Sequence, residues 1–501
     1  MTNFLQQLKA ESNRAYTENG ALTHRTSASD CLDLFFRMGG MRGAAEQDIV
    51  RTVLRAYAED PLKTRKILFY GRDIRGGLGE RRFFRTAIRA LAMQDPEAVC
   101  RNLPLFVQYG RCDDFCALLD TPCEAAMFCY VRAELNADCA RMAAGESVTL
   151  LAKWLPSVNA SSKETCAMGR IFAKKLGMTP AAYRKTLSAL RRHIGIIENP
   201  LRESDYTFDY ETQTSGAMFK YRKAFLRNDA ERYQTYIEKV HAHQAKINVQ
   251  TLYPYQIVRA CKGTAGAYSW TFPAPQTLPE AERRALDAAW KNLPVYGAEQ
   301  ENALVVVDGS GSMYGNEDMR PIDTALSLGI YFAEHNRGTF AGHFITFSRT
   351  PKLVAVKGRD IAEKVYECAK YNEVANTDLE AVFRLILKTA VCNRTRQQDM
   401  PATLYIISDM EFDRCIDGGN NRTLFEQMTA LYANYGYRLP QVVFWNVASR
   451  NQNIPVTFTQ TGAALVSGAS PVIFNMVIGG NITPEVIMDQ ILENPRYAAV
   501  S

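Results

Sequence analysis

Histidine is scarce in this chain, with 6 residues in 501. They stand at His24, His193, His241, His243, His335 and His343, and no two are separated by the three to five residues of a zinc-binding pair. The Cys112 to Cys116 spacing therefore has no partner half. The 12 cysteines, densest at Cys100, Cys112, Cys116, Cys123, Cys129 and Cys139, lie in apolar helical surroundings and are expected to be buried free thiols. Long apolar runs are also missing. No stretch approaches the roughly 18 to 20 residues needed to span a bilayer, and the opening MTNFLQQLKAESNRAYTENG has no signal-peptide core. A soluble, cytoplasmic protein without membrane contact is expected. With 47% hydrophobic and 22% charged residues, the composition is that of an ordinary globular chain long enough for two or three cored domains.

Charge is unevenly spread. Residues 301–501 carry 17 Lys and Arg against 21 Asp and Glu, which leaves 42 against 32 for residues 1–300. The first part is thus net +10 and the last net −4, a split that suggests a polyanionic partner for the first part, although a solvated basic face produces the same bias.

From Ser29 to about Asn248 apolar residues recur at helical spacing, as in DIVRTVLRAYAED and AYRKTLSALRRHIGII, with breaks at Gly39 and Gly40, Gly76 and Gly77, Pro104, Pro156, Pro180 and Pro200. This pattern predicts stacked helix pairs without a fixed repeat length. Residues 1–27 are an N-terminal extension, 28–271 the helical domain and 272–299, rich in proline around EAERRALDAAWKN, a linker. From residue 300 onward the pattern changes to alternation of buried-type strands (ALVVVD, GTFAGHFITFS, PKLVAV, TLYIISD, QVVFWNVA) with helices (IDTALSLGIYFAEHN, LEAVFRLILKTAV, RTLFEQMTALYANY, PEVIMDQILEN). Residues 300–501 are therefore expected to form a doubly wound, Rossmann-like α/β domain.

In such a sheet, ligands bind beyond the carboxyl ends of the strands where the strand order reverses. Three oxygen-rich segments fall at strand or helix ends: Asp308-Gly309-Ser310-Gly311-Ser312 after ALVVV, Asn376-Thr377-Asp378 before a helix, and Ser408-Asp409 after TLYII. DGSGS alone is what any Gly/Ser turn looks like. Together, Asp308, Ser310, Ser312, Thr377 and Asp409 supply two carboxylates and three hydroxyls, a set suited to one hard divalent cation, Mg²⁺ first, with Mn²⁺ or Ca²⁺ as alternatives. No general base or activated nucleophile stands beside them, so no catalysis is expected.

In the helical half, basic residues interleave with aromatics in LKTRKILFYGRDIRGGLGERRFFR and MFKYRKAFLRNDAERYQTYIEK. Arginine forks match phosphates and aromatic faces stack on bases, so these stretches suggest single-stranded RNA; a solvated helix face is the plainer reading. The composition picks Arg72, Arg75, Arg81, Arg82, Lys220, Arg222, Lys223 and Lys246 as candidate RNA contacts.

The three oxygen segments resemble the metal-ion-dependent adhesion site of von Willebrand A domains, over roughly residues 300 to 495. A basic helical region ahead of such a domain is similar to the layout of the Ro autoantigen (TROVE) family. GRDIRGGLGERRFF, YGRCDDF, AKWLPS, YRKTLSALRRHIGIIE, YRKAFLRND and AKINVQTLYPYQIV look like the motifs of an uncharacterised Ro-like group, with Cys112 where that group usually has Trp and Tyr255 where His is common. The resemblance implies HEAT-like helical repeats able to close into a ring, and a metal site that leaves one position for a partner's carboxylate. It also implies a monomeric, non-enzymatic ribonucleoprotein that binds single-stranded ends of misfolded RNA and a Y-like small RNA, with a ribonuclease or other protein as a further partner. A metal-dependent protein interaction module without RNA is the alternative.

Overall fold

The computed structural model describes residues 4–262, 272–297, 302–315, 320–348, 350–372, 378–413, 423–475 and 482–501. Several helices of the first half begin at side-chain caps. Ser29 accepts from Leu32 N, Asp60 from Lys63 N, Asp95 from Ala98 N and Thr179 from Ala182 N, with proline in the first turn after Asp60, Asp95 and Thr179. Gly195, at φ 69, ends Pro180–Ile194 with a left-handed residue. The helices pack on near neighbours in sequence, as Asp30–Met38 does on Glu46–Glu59 and Lys163–Lys175 on Pro180–Ile194.

The array also returns to its start. Tyr253 and Tyr255, at the head of Pro254–Cys261, stack at 6.1 Å between centroids. Arg42 donates to Tyr255 Oη at 3.3 Å and lies 5.5 Å from that ring. Buried Glu80 in turn holds Arg42 Nε at 2.7 and 2.6 Å. The turn Met41–Gly43 and the cap residue Glu80, near the start of the array, thus meet the head of its last helix.

Two short strands, β1 (Arg14–Tyr16) and β2 (Leu22–His24), form an antiparallel hairpin between the helix Phe4–Ser12 and the helical array. The later part holds β3 (Ala303–Asp308), β4 (His343–Phe347), β5 (Leu353–Ala355), β6 (Thr403–Ser408), β7 (Gln441–Asn446) and β8 (Ala463–Ser467). They form one sheet in the order β5-β4-β3-β6-β7-β8, parallel except for β5 against β4. Winding proceeds outward both ways from β3, so the order reverses between β3 and β6. Every residue of β3, β6 and β8 is buried, as strands covered on both faces require. Gly329 in the helix Pro321–His335 lets that helix close on β3, since a Cβ there would stand 2.5 Å from Val307 Cγ2.

Three features add to the sequence expectation. The segment 272–299 contains the helix Glu280–Lys291, whose Leu286, Ala288 and Trp290 are buried, and Arg283 ties it to Asp360 at 2.5 Å and Glu363 at 3.0 Å. The helix read within that segment is thus packed between the two halves. Residues 4–27 of the extension hold a helix and the hairpin, which docks on the α/β part through bridges Gly20↔Asp413 and His24↔Ile454. Strand β8 and the helix Ile361–Ala369 are not marked by the pattern, the first because AALVS is short and small, the second because its charged residues obscure the apolar face.

Both ends of the helical array seat on the α/β part. Gly39 N donates to Ser467 Oγ at 3.1 Å, Ser467 Oγ to Phe35 O at 3.0 Å and Ser449 Oγ to Arg37 O at 2.9 Å. At the far end, Lys262 pairs with Asp323 in the helix Pro321–His335. The chain's last residues return as well: Arg496 and Tyr497 both bond the fully buried Asp73, and Tyr497 packs edge-on to Tyr70 at 6.0 Å.

Candidate metal centre

Parallel pairing of Val307 with Ile407 carries Asp308 and Ser408 to the same end of the sheet, on the two strands flanking the order reversal. Ser408 Oγ donates to Asp308 Oδ2 at 2.6 Å, and Ser310 N donates to Asp308 Oδ1 at 2.9 Å. That second bond folds the Asp308–Ser310 turn back on itself, bringing Ser310 Oγ within 3.1 Å of Ser312 Oγ. Gly309 packs closely: a Cβ there would lie 3.2 Å from Asn372 Cα, tighter than ordinary contact. Asp409 follows β6 directly, and Met410 beyond it has φ 68, a left-handed strain held by Met410 N donating to Ser408 Oγ at 3.0 Å.

Asp308, Ser310, Ser408 and Asp409 are buried, and Ser312 is half-buried. Burial, and secondarily the neighbouring Asp409, push the Asp308 carboxyl up to about 7. Burial likewise raises Asp409, opposed by a Ser312 hydrogen bond and by Arg450. Asp409 Oδ1 accepts from Glu411 N at 3.3 Å, while the buried Oδ2 has no hydrogen-bond partner; Arg450 Nε is 3.5 Å away and not aligned to donate. Two buried carboxylates that repel one another, hydroxyls turned toward them and one orphaned carboxylate oxygen form a donor set that fits a hard divalent cation. Among the described residues, no three His, Cys, Asp or Glu gather as a metal cluster, and this centre with its two carboxylates does not need a third.

The structure brings together Asp308, Ser310, Ser312 and Asp409. Thr377 lies outside the described residues. Its neighbour Asp378 caps the helix Leu379–Asn393 through Ala381 N at 2.9 Å. Residues that composition did not single out surround the centre. Arg450 reaches Glu18 of the hairpin at 2.8 Å, and buried Glu411 accepts from Glu18 N at 2.7 Å and from Asn451 and Asn453 at 3.0 and 3.1 Å. Nothing local marks Glu18, Arg450, Asn451 or Asn453, because they meet Asp409 and Glu411 only through the fold.

The eight basic candidates separate by burial. Arg75, Arg81, Arg82, Lys220, Lys223 and Lys246 are exposed. Arg72 is not available to a ligand: its side chain is 4% exposed and its Nε donates to Asp114 at 2.6 Å. Arg222, 13% exposed, pairs with Glu282 at 3.3 Å and stacks on Phe219. Both are internal ties, and the expectation that they contact RNA is withdrawn for them. The cysteines among the described residues are all free; Cys112 is buried and Cys116 half-buried, and burial raises these thiols to about 12 and about 11, so neither is a ready thiolate. Cys129 and Cys392 are exposed, contrary to the expectation of burial throughout.

These features define a helical array seated on a doubly wound α/β domain whose switch point carries a candidate cation centre. Residues 17–120 and 125–296 match the family described as a domain of unknown function, DUF2828, and the chain belongs to that family. Residues 302–494 match a second domain of unknown function, DUF7788. The uncharacterized protein L728 of Acanthamoeba polyphaga mimivirus is 27% identical over 520 aligned positions, spanning 96% of this chain and 87% of that one. The crystal structure of the Ro (RSR) protein of Deinococcus radiodurans superposes with a TM-score of 0.48 at 14% identity, covering 93% of this chain and 99% of that chain. No helix among the described residues is long and apolar enough to cross a membrane.

Proposed function

We propose that this protein is a non-enzymatic RNA-binding protein. Its basic helical half takes single-stranded or misfolded RNA ends, or a structured small RNA, for quality control or scaffolding. The observation that carries the reading is the net +10 of residues 1–300 together with the exposure of Arg75, Arg81, Arg82, Lys220, Lys223 and Lys246. The motif resemblance to Ro-like proteins supports the same partner. The metal centre is a von Willebrand A-type adhesion site for one divalent cation, Mg²⁺ first, held by Asp308, Ser310, Ser312 and Asp409 with Thr377 as the fifth ligand. It supplies a docking contact for a carboxylate of a ribonuclease or another protein.

RNA copurifying with the full chain from its own cells, identified by sequencing, tests the reading. Binding of a single-stranded RNA must weaken steeply as salt rises, because each phosphate contact releases counterions. No binding at low salt refutes it. Retention of a single protein partner that is lost with chelator but survives nuclease treatment would replace it with the interaction-module reading.

A further inference from the structure

Outside the metal centre, an uneven charge cluster lies where residues 72–85, 111–114 and 153–154 converge. Fully buried Asp114 accepts Arg72 Nε at 2.6 Å, Arg85 Nε at 2.7 Å and Arg111 N at 3.2 Å. Asp113 takes Arg111 through Nε at 3.0 Å and Nη2 at 2.5 Å, and Arg85 Nη2 lies 2.9 Å from it. Arg81 reaches Asp113 only at 4.0 Å. Four guanidiniums thus face two carboxylates, and the excess is at the surface: the Arg81, Arg85 and Arg111 side chains are 51%, 31% and 29% exposed. Their mutual repulsion is visible in Arg81, whose pKa is lowered by burial and then by Arg111 and Arg85. The Arg111 guanidinium lies 4.1 Å from the Trp154 ring centroid, with Lys153 Nζ 5.4 Å from the same ring.

A structural network accounts for Arg72 and Asp114, which are sealed inside. It does not account for a surplus of half-exposed guanidiniums around one carboxylate, stacked on a half-buried indole. Surplus positive charge of this density suits phosphate. The flat Arg111–Trp154 stack adds a surface on which an unpaired base can extend the pile, a feature that an acidic peptide does not use and a duplex does not offer.

We propose that Arg81, Arg85, Arg111, Lys153 and Trp154 form one nucleotide subsite for single-stranded RNA, with a phosphate at Arg81 and a base on the Arg111–Trp154 stack. This inference rests on the RNA reading above and gives it a location. Only Arg81 belongs to the candidates chosen by composition; the site exists because three separate segments meet.

The test uses the full chain and a fluorescein-labelled oligouridylate, followed by anisotropy across a range of KCl concentrations, with inorganic polyphosphate as a second probe. Arg81→Gln and Lys153→Gln are expected each to weaken RNA binding roughly 5- to 10-fold and to lower the salt slope by about 0.7. Arg111→Lys keeps the charge and removes the planar stack, so it should weaken RNA binding while polyphosphate binding stays as in wild type. Arg396→Gln, an exposed site in the α/β part, is the control, and matching urea midpoints establish that the variants are folded. Wild-type RNA affinity in folded Arg81→Gln and Arg111→Lys would overturn the subsite and leave the RNA reading standing. A wild-type chain that ignores RNA overturns both, and if it binds polyglutamate in an Arg81-dependent way the cluster is an acidic-peptide site.

Discussion

Gly39 offers a test of how tightly the helical array is seated on the sheet. It follows Asp30–Met38 at φ −70, a conformation open to any residue, so only space excludes a side chain. An alanine Cβ would stand 2.3 Å from Gly468 N, 2.5 Å from Gly468 Cα and 2.6 Å from the Ser467 carbonyl carbon, all backbone atoms at the end of β8. Ordinary contact begins near 3.4 Å, so the two backbones must part by about 1.1 Å. The bonds under strain are Gly39 N to Ser467 Oγ at 3.1 Å, Ser467 Oγ to Phe35 O at 3.0 Å and Ser449 N to Gly40 O at 3.0 Å. Overpacking costs about 1–3 kcal/mol and each weakened bond up to about 1 kcal/mol, so Gly39→Ala should destabilise the chain by roughly 2–4 kcal/mol. Gly216→Ala, near the start of Ser215–Asn228 with nothing within 4 Å of its Cβ, should be neutral or stabilising by up to about 1 kcal/mol. Urea midpoints, with limited proteolysis to locate the loosened seam, separate the two. An unchanged midpoint for Gly39→Ala, or equal damage from both substitutions, would refute the argument.

The remaining predictions concern charge. Mg²⁺ should raise the thermal midpoint of the wild-type chain, by about 2.7 kcal/mol of stabilisation at 100 times its Kd, and differential scanning fluorimetry should find no such response in Asp308→Asn. The same variant without cation should lie within about 1 kcal/mol of wild type or above it, since an amide removes the repulsion between two buried carboxylates; a large loss in apo stability would contradict that electrostatic account. Glu363 is held down to about 2 by Arg359, through side-chain and backbone hydrogen bonds, and by Arg283. Because its folded value is depressed, its contribution is complete above about 4.5, the ordinary value, and is lost as pH falls toward about 2. Glu363→Gln should therefore flatten the loss of stability across that interval in acid titrations followed by circular dichroism; equal slopes for both proteins would show that the pairing adds nothing.

What the sequence revealed and what it concealed follow from the range over which each feature is made. Asp308, Ser310 and Ser312 stand within five residues and are organised by one turn, so their grouping was readable locally, and Asp409 followed from a strand that ends beside theirs. Arg450 and Glu18 reach the same place from two other segments, and no periodicity records that meeting. Gly39 and Gly40 were legible as a helix stop, but the reason for them is tertiary: both face backbone of the α/β part at distances no Cβ tolerates. Arg72 and Arg81 show the limit of composition most clearly. Both are arginines in one basic, aromatic stretch, yet Arg72 closes a helix whose last residues, Ile67 to Arg72, are all buried, while Arg81 opens a helix with its first two residues exposed. The unbroken run ILFYG was the available signal, since a helix apolar on every side places even its terminal arginine inside, where a carboxylate must meet it. Asp114 is that carboxylate, and it comes from YGRCDDF, a motif whose second aspartate is consumed by the core while the first faces the surplus arginines at the surface in reverse order: Asp114 inward, Asp113 outward. One dipeptide thereby serves both as an internal counter-charge and as the rim of the basic cluster, which is why charge counting along the chain found the region but not the residues within it.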